Sequence, residues 1–375
     1  MSEMTKLKPG AINVGEPLRH DVFDEGGNLL LRQGVVVNTR EQLDKLYQRG
    51  MYQDTSADAA AAKAAGPPGP LRRNPFEEFP LLINQLKLLL SHITEKHEDS
   101  GKRLQRLARE IRKLSLEEAD ACIAVVHFHA GEPTAYEQTL FHAFLAERIG
   151  RRLALPEEHM ESLVMAALTA NLALLPHLDR LNQINRALND EQRAVLNKHP
   201  GLSAQALMDA GVRDPRCFDA ILQHHENFDG SGYPGGLVGA QICTEARILA
   251  IAERYTAMVN QRAYRPRMAP ELAQERIAEA GREDPDQAVY AALVAELTPY
   301  PPGALVLLAN EEVAVVIHRS EDPRVPRVRA VMSPKGLPYG GAFLRDCRKS
   351  EYRIVGSAPA QQKPAIGAAT LWGYA

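Results

Sequence analysis

Between residues 116 and 297 the sequence carries helical periodicity almost without a break, in the runs 117–126, 136–153, 156–175, 190–198, 203–210 and 244–260. Strand signals are scarce across the same span. Apolar residues three and four apart form a stripe along one side of a helix, and such stripes leave water only by packing on one another. The chain is therefore expected to be mainly α, a helical bundle whose interior receives side chains from several helices.

The flanks differ. Residues 1–53 read as a small β-rich N-terminal module. A turn signal at Asp24-Glu25-Gly26-Gly27 precedes a strand-like run over 29–37, and Thr39 is placed to cap a short helix that stops before Gly50. The module holds no cluster of titratable groups, which points to regulation or interaction. Residues 54–75 are rich in Ala, Gly and Pro, cannot build a core, and read as a linker. Over 76–115, Phe79, Leu82, Ile83, Leu86, Leu89, Leu90 and Ile93, then Leu104, Leu107, Ile111 and Leu114, mark a helical hairpin broken at Ser100-Gly101. About two heptads are visible, short of a coiled coil, so packing within the chain and a homodimer both remain open. The main helical domain spans 116–297. A short β-rich C-terminal appendix follows over 298–358, and 359–375 read as a loose tail.

The 375 residues carry a net charge of −3, without the basic excess that holds a nucleic acid polymer. The first ten residues lack the apolar core of a signal peptide, and no run reaches the ~18 apolar residues of a membrane span. The four cysteines, Cys122, Cys217, Cys243 and Cys347, form no C-x-x-C pair and fit reduced, buried thiols. A cytoplasmic protein is expected.

The densest chemistry lies over 223–266. His224, His225 and Glu226 precede the turn Asp229-Gly230-Ser231-Gly232-Tyr233-Pro234-Gly235-Gly236. An apolar helical run then carries Arg247, Glu253 and Tyr255, and ends in Arg262, Tyr264, Arg265 and Pro266. Neutral imidazole nitrogen and carboxylate oxygen are common ligands of divalent metals, and glycines let a loop pass close to a site. A plain helix end with a surface turn is the bland alternative, but such turns rarely combine these elements at one spacing.

The order H-H-E-x-x-D-G-S-G-Y-P, then G-L-x-G-x-x-I, A-R-I-L-A-I-A and R-x-Y-R, resembles the HD-GYP family, a branch of the HD-domain metal hydrolases that degrade cyclic di-GMP. The resemblance implies an HD-type helical bundle. It also implies a His-Asp pair on a helix, whose Asp bridges metal ions that activate water. The matching segment here, 166–174, places Ala170 at the His position, Asn171 at the Asp position and Leu174 at the Lys position. Gln138 stands where the family has a Glu four residues before His142, with Glu137 adjacent. His199 matches the K-H-P element, and Glu253 and Thr256 replace two Asp residues.

The candidate metal ligands implied are His142, Asn171, His199, His224, His225 and Glu253. A neutral amide bridges two cations poorly, and Glu reaches about one C–C bond further than Asp. The set is expected to hold no metal or one divalent transition metal (Fe, Mn, Zn or Ni), and no catalytic residue is assigned. Tyr233, Arg262, Tyr264 and Arg265 are the implied nucleotide-binding residues, by stacking and phosphate clamping. Asp229, Gly230, Gly232, Tyr233 and Pro234 form a loop implied to dock partners such as GGDEF-type proteins. Three functions follow: a catalytically degenerate, cyclic di-GMP-linked receptor, adaptor or scaffold; a phosphodiesterase with a remodelled single-metal site; or an interaction module that binds no nucleotide.

Overall fold

A computed structural model describes residues 4–6, 12, 18, 21–24, 29–31, 35–37, 39–48, 52–54, 72–128, 132–182, 189–261, 266–284, 287–358 and 366–374. The chain divides into two compact units, Met1–Arg72 and Arg73–Ala375.

The first unit pairs four short strands, β1 (Met4–Lys6), β2 (Val22–Phe23), β3 (Leu29–Leu31) and β4 (Tyr52–Asp54), in the order β1-β4-β2-β3, all antiparallel. Helix α1 (Arg40–Gln48) begins where Thr39 Oγ1 accepts from the N–H of Gln42 at 3.2 Å. Ile12, Leu18, Val22 and Val37 form a small core. Described strand within 29–37 is confined to Leu29–Leu31.

The second unit opens on α2 (Pro75–Thr94). Its start corrects the linker boundary at 75. Pro75 pre-sets the first helical turn, and Asn74 Oδ1 accepts from the N–H of Phe76 at 3.1 Å. A turn through Lys96 leads to α3 (Ser100–Glu117). Leu82, Leu86, Leu89, Leu90 and Ile93 of α2, with Leu104, Leu107, Ile111 and Leu114 of α3, face the same core as the helices that follow. The hairpin's apolar stripe is thus spent inside the bundle.

Helices α4 (Ala119–His127), α5 (Ala135–Arg152), α6 (Glu157–Thr169), α7 (Leu175–Asn182), α8 (Asp190–Asp209), α9 (Pro215–Gln223), α10 (Thr244–Val259), α11 (Pro270–Ala280) and α12 (Ala288–Leu297) complete the bundle. Helix α5 starts at a capping box: Thr134 Oγ1 accepts from the N–H of Glu137, whose carboxylate accepts from the N–H of Thr134 at 2.7 Å. The fully buried Glu147 of α5 is held by Arg112 of α3 at 3.2 Å and Arg151 at 2.7 Å. The stretch Glu157–Leu178, at the centre of the bundle, is long and apolar enough by composition to cross a membrane, but 61% of its apolar window is buried inside the fold.

The appendix is a five-stranded antiparallel sheet. Its strands β5 (Leu305–Leu308), β6 (Val313–His318), β7 (Arg327–Met332), β8 (Pro338–Arg345) and β9 (Ile354–Ser357) lie in the order β8-β7-β6-β5-β9. Val313, Val315, Ile317 and Val331 pack on Ala121 and Ala124 of α4. Arg319, just after β6, donates to Asp120 at 2.5 Å and to Glu296 at 2.8 Å, which ties sheet to bundle.

The expected loose tail needs correction at its far end, while 359–365 lie outside the described residues. Helix α13 (Ala368–Trp372) buries Leu371 and Trp372. The Trp372 ring lies 4.9 Å from Phe76 and 6.0 Å from Phe128, centroid to centroid. Two large apolar side chains in an otherwise Ala/Pro/Gln-rich segment are enough to dock it.

Candidate functional site

Three helices and two helix ends bring the site together. His199 lies within α8, His224 caps the end of α9 with His225 beside it, and Glu253 lies on α10. Ala170 and Asn171 follow the last residue of α6, and His142 lies on α5. Helix α10 is fixed by Tyr255, which is fully buried. The Nδ1 of His127 points at the carbonyls of Ile123 and Pro302, at 2.9 and 3.1 Å, so it carries the proton; Nε2 then accepts from the Tyr255 hydroxyl at 2.8 Å. One imidazole therefore links α4, α10 and the chain entering the sheet.

The same logic fixes the tautomers of two site histidines. His199 Nδ1 lies 2.5 Å from the Leu196 carbonyl, and His224 Nδ1 lies 2.6 Å from the Ile221 carbonyl. A carbonyl only accepts, so each Nδ1 donates and each Nε2 keeps its lone pair. These two Nε2 atoms face one another at 3.3 Å. Burial lowers the pKa of His199 to about 3, helped by the charge of His224, and that of His224 to about 4. Neither nitrogen carries a second proton at neutral pH, so two acceptors meet with no hydrogen between them. His225 joins them, with candidate ligand atoms of all three rings within 4.8 Å of one another. Its pKa is also driven far down, by burial first and then by the charges of His224, His199 and Arg254.

A metal ion fits this arrangement. Two nitrogens about 2.05 Å from a tetrahedral ion lie ~3.3 Å apart, the separation of the two Nε2 atoms. Backbone acceptors on the opposite ring nitrogens orient metal-binding imidazoles in the same way. His199, His224 and His225 are the residues that would hold the ion.

Of the remaining predicted ligands, Asn171 and Glu253 are hydrogen-bonded to one another. Asn171 Nδ2 donates to Glu253 Oε1 at 2.6 Å, and His142 Nδ1 lies 3.4 Å from the same oxygen. Thr256 returns its hydroxyl to the Ala252 and Glu253 carbonyls, at 3.0 and 2.9 Å. Gln138 donates to the Pro133 carbonyl at 3.0 Å. Ala170 and Leu174 are buried apolar residues.

The glycine-rich loop is built around Glu226, which is 7% exposed. Its carboxylate accepts from the N–H groups of Gly235 at 2.5 Å and Leu237 at 3.0 Å. Gly232 passes so near the preceding turn that a Cβ there would lie 2.3 Å from the Asn227 nitrogen. Gly230 has φ +78°, a conformation that side chains resist. Asp229 Oδ1 accepts from the N–H and the hydroxyl of Ser231, and the Tyr233–Pro234 bond is cis. Tyr233 is folded back so that its ring stacks on His225, with centroids 4.8 Å apart. Burial raises its phenol pKa.

Of the expected nucleotide-binding residues, Tyr233 therefore lies against the histidines, while Arg262, Tyr264 and Arg265 lie outside the described residues. Two residues escaped the sequence reading. Glu226 was visible in the H-H-E triplet but not as the anchor of the loop. Arg254, beside Glu253, had no spacing signal.

A sequence profile described as "HD domain" matches residues 89–289. A cyclic di-GMP phosphodiesterase of Pseudomonas aeruginosa is 28% identical over 260 residues, covering 68% of this chain and 62% of that protein. The cyclic di-GMP phosphodiesterase response regulator RpfG of Xanthomonas campestris pv. campestris is 30% identical over 178 residues, covering 47% of this chain and 43% of that protein. The chain thus spans less than two thirds of either relative's length. An HDG"Y"P protein from Bdellovibrio bacteriovorus has a solved structure that matches with a TM-score of 0.50 at 15% identity, covering 78% of this chain and 98% of that one, a likeness of fold. Helical bundle, glycine-rich loop and relatives agree: the chain belongs to the HD domain family, in its HD-GYP branch.

Proposed function

We propose that the chain is a cyclic di-GMP receptor of the HD-GYP family that keeps one transition-metal ion on His199, His224 and His225 and lacks a two-metal hydrolytic centre. The observation that carries it is the contrast within one pocket. Two imidazole lone pairs face each other at 3.3 Å, while the position of the bridging carboxylate is an amide already bonded to Glu253. A metal on three neutral imidazoles supplies a fixed positive charge for a phosphate. The names of the relatives, cyclic di-GMP phosphodiesterases, support the nucleotide.

Elemental analysis of the purified chain, calorimetry with cyclic di-GMP and a hydrolysis assay test the proposal together. About one metal per chain, binding, and no turnover are expected. Turnover by metal-loaded protein that His225→Ala abolishes would establish the second reading, a single-metal phosphodiesterase, which the three converging imidazoles also favour. No binding of cyclic di-GMP would leave an interaction module built on the loop from Asp229 to Pro234.

A further inference from the structure

A cleft of about 360 Å³ opens beside the histidine pocket, between the glycine-rich loop and the face of α10 that carries Arg247, Ala250, Ile251 and Arg254. These positions are three, four and seven residues apart, one side of a helix. Val289 and Tyr290 at the start of α12 close the cleft.

Most charges lining it are already used. Arg247 is paired with Asp284 at 2.5 Å. Glu226 is occupied by the loop's own N–H groups and Asp229 by Ser231. Arg254 differs. It is exposed, and among the described residues it has no carboxylate partner. It directly follows Glu253 on the helix, whose carboxylate lies 3.4 Å from His142, so it borders the pocket end of the cleft. A guanidinium offers five N–H donors in a planar fork, which suits a phosphate bidentately. The half-buried rings of Phe228 and Tyr290 lie in the same cleft with Ile242 and Ile251. Aromatic and apolar walls next to a free cation are what a base with its phosphate requires.

We propose that this cleft is a nucleotide subsite, in which Arg254 holds a phosphate at the histidine end and the base lies against the aromatic and apolar walls. The proposal deepens the cyclic di-GMP reading and rests on it for the identity of the nucleotide.

Calorimetry on the full chain, with cyclic di-GMP and separately with GMP, tests it. Arg254→Ala is expected to weaken cyclic di-GMP binding at least tenfold and to flatten its salt dependence, with metal content and Tm unchanged. Arg254→Lys, which keeps the charge and loses the fork, is expected to fall between. Equal affinities of wild type and Arg254→Ala for the nucleotide bound overturn the subsite and leave the receptor reading intact. Binding of GMP that depends on Arg254, without binding of cyclic di-GMP, keeps the subsite and overturns the receptor reading. Binding of neither nucleotide overturns both.

Discussion

The two sides of the pocket solve opposite problems. On one side His199 and His224 have their Nδ1 protons committed to backbone carbonyls, so their Nε2 lone pairs converge with nothing between them. On the other, Asn171 donates a hydrogen bond to Glu253, and His142 Nδ1 lies 3.4 Å from the same oxygen. The first side gains from a cation, and on the second the amide and the carboxylate already hold one another. A two-metal centre needs carboxylates that bridge both ions. Under the proposed reading, Asn171 stands where such a carboxylate would be, and its amide donates to Glu253 instead.

Four measurements would break or sharpen that contrast. The largest effect is expected from acid. The folded-state pKa values of His127, His199 and His224, about 4, 3 and 4, lie below the ordinary 6.5. Folding therefore favours the neutral rings. Their contribution is complete above pH 6.5 and is lost as pH falls toward 4. In metal-free protein, each buried ring is expected to cost about 2 kcal/mol of stability between pH 7 and 5. Urea unfolding at the two pH values measures this, and a flat profile would show that the histidine side is wetter than described.

Next is His224→Ala, which removes one of two facing nitrogens and is expected to weaken metal binding by at least about 100-fold. Competition with a chelator reads it, and unchanged affinity would move the ion off the histidines. Asn171→Asp follows. Its carboxylate would take the place of an amide 2.6 Å from Glu253, costing about 2 kcal/mol in metal-free protein. A second metal equivalent in this variant would mean that one side chain separates the two kinds of centre. The smallest effect belongs to Glu226→Gln, which loses charge-assisted bonds to two loop N–H groups and is expected to cost about 1 kcal/mol without changing metal content. Loss of metal in that variant would tie the loop to the histidine side more closely than its hydrogen bonds do.

Much of this architecture was legible in the sequence. Helical spacing announced the bundle, because burial of a helix face leaves a period in the residues themselves. The adjacent pair His224-His225 and the turn from Asp229 to Pro234 were visible because local chemistry at fixed spacing needs no tertiary information. The grouping of ligands was not. Asn171 and Glu253 are 82 residues apart, and only the packing of α6 on α10 shows that they consume one another. Arg254 shows the same limit: its want of a counterion among the described residues depends on which neighbours are already paired. The tail was misread for a simpler reason. Its average composition concealed Leu371 and Trp372, and two well-placed side chains outweigh a permissive neighbourhood.

The contact between Phe76 and Trp372 also orders events in time. The first helix of the larger unit acquires part of its packing from residues nearly 300 positions later in the sequence. During synthesis that surface must wait, uncovered, until the last strand of the sheet and α13 have emerged. Truncation before residue 368 would leave it permanently exposed. Joining the neighbourhoods of 73 and 374 by a short linker, and opening the chain elsewhere, would let the latch close early.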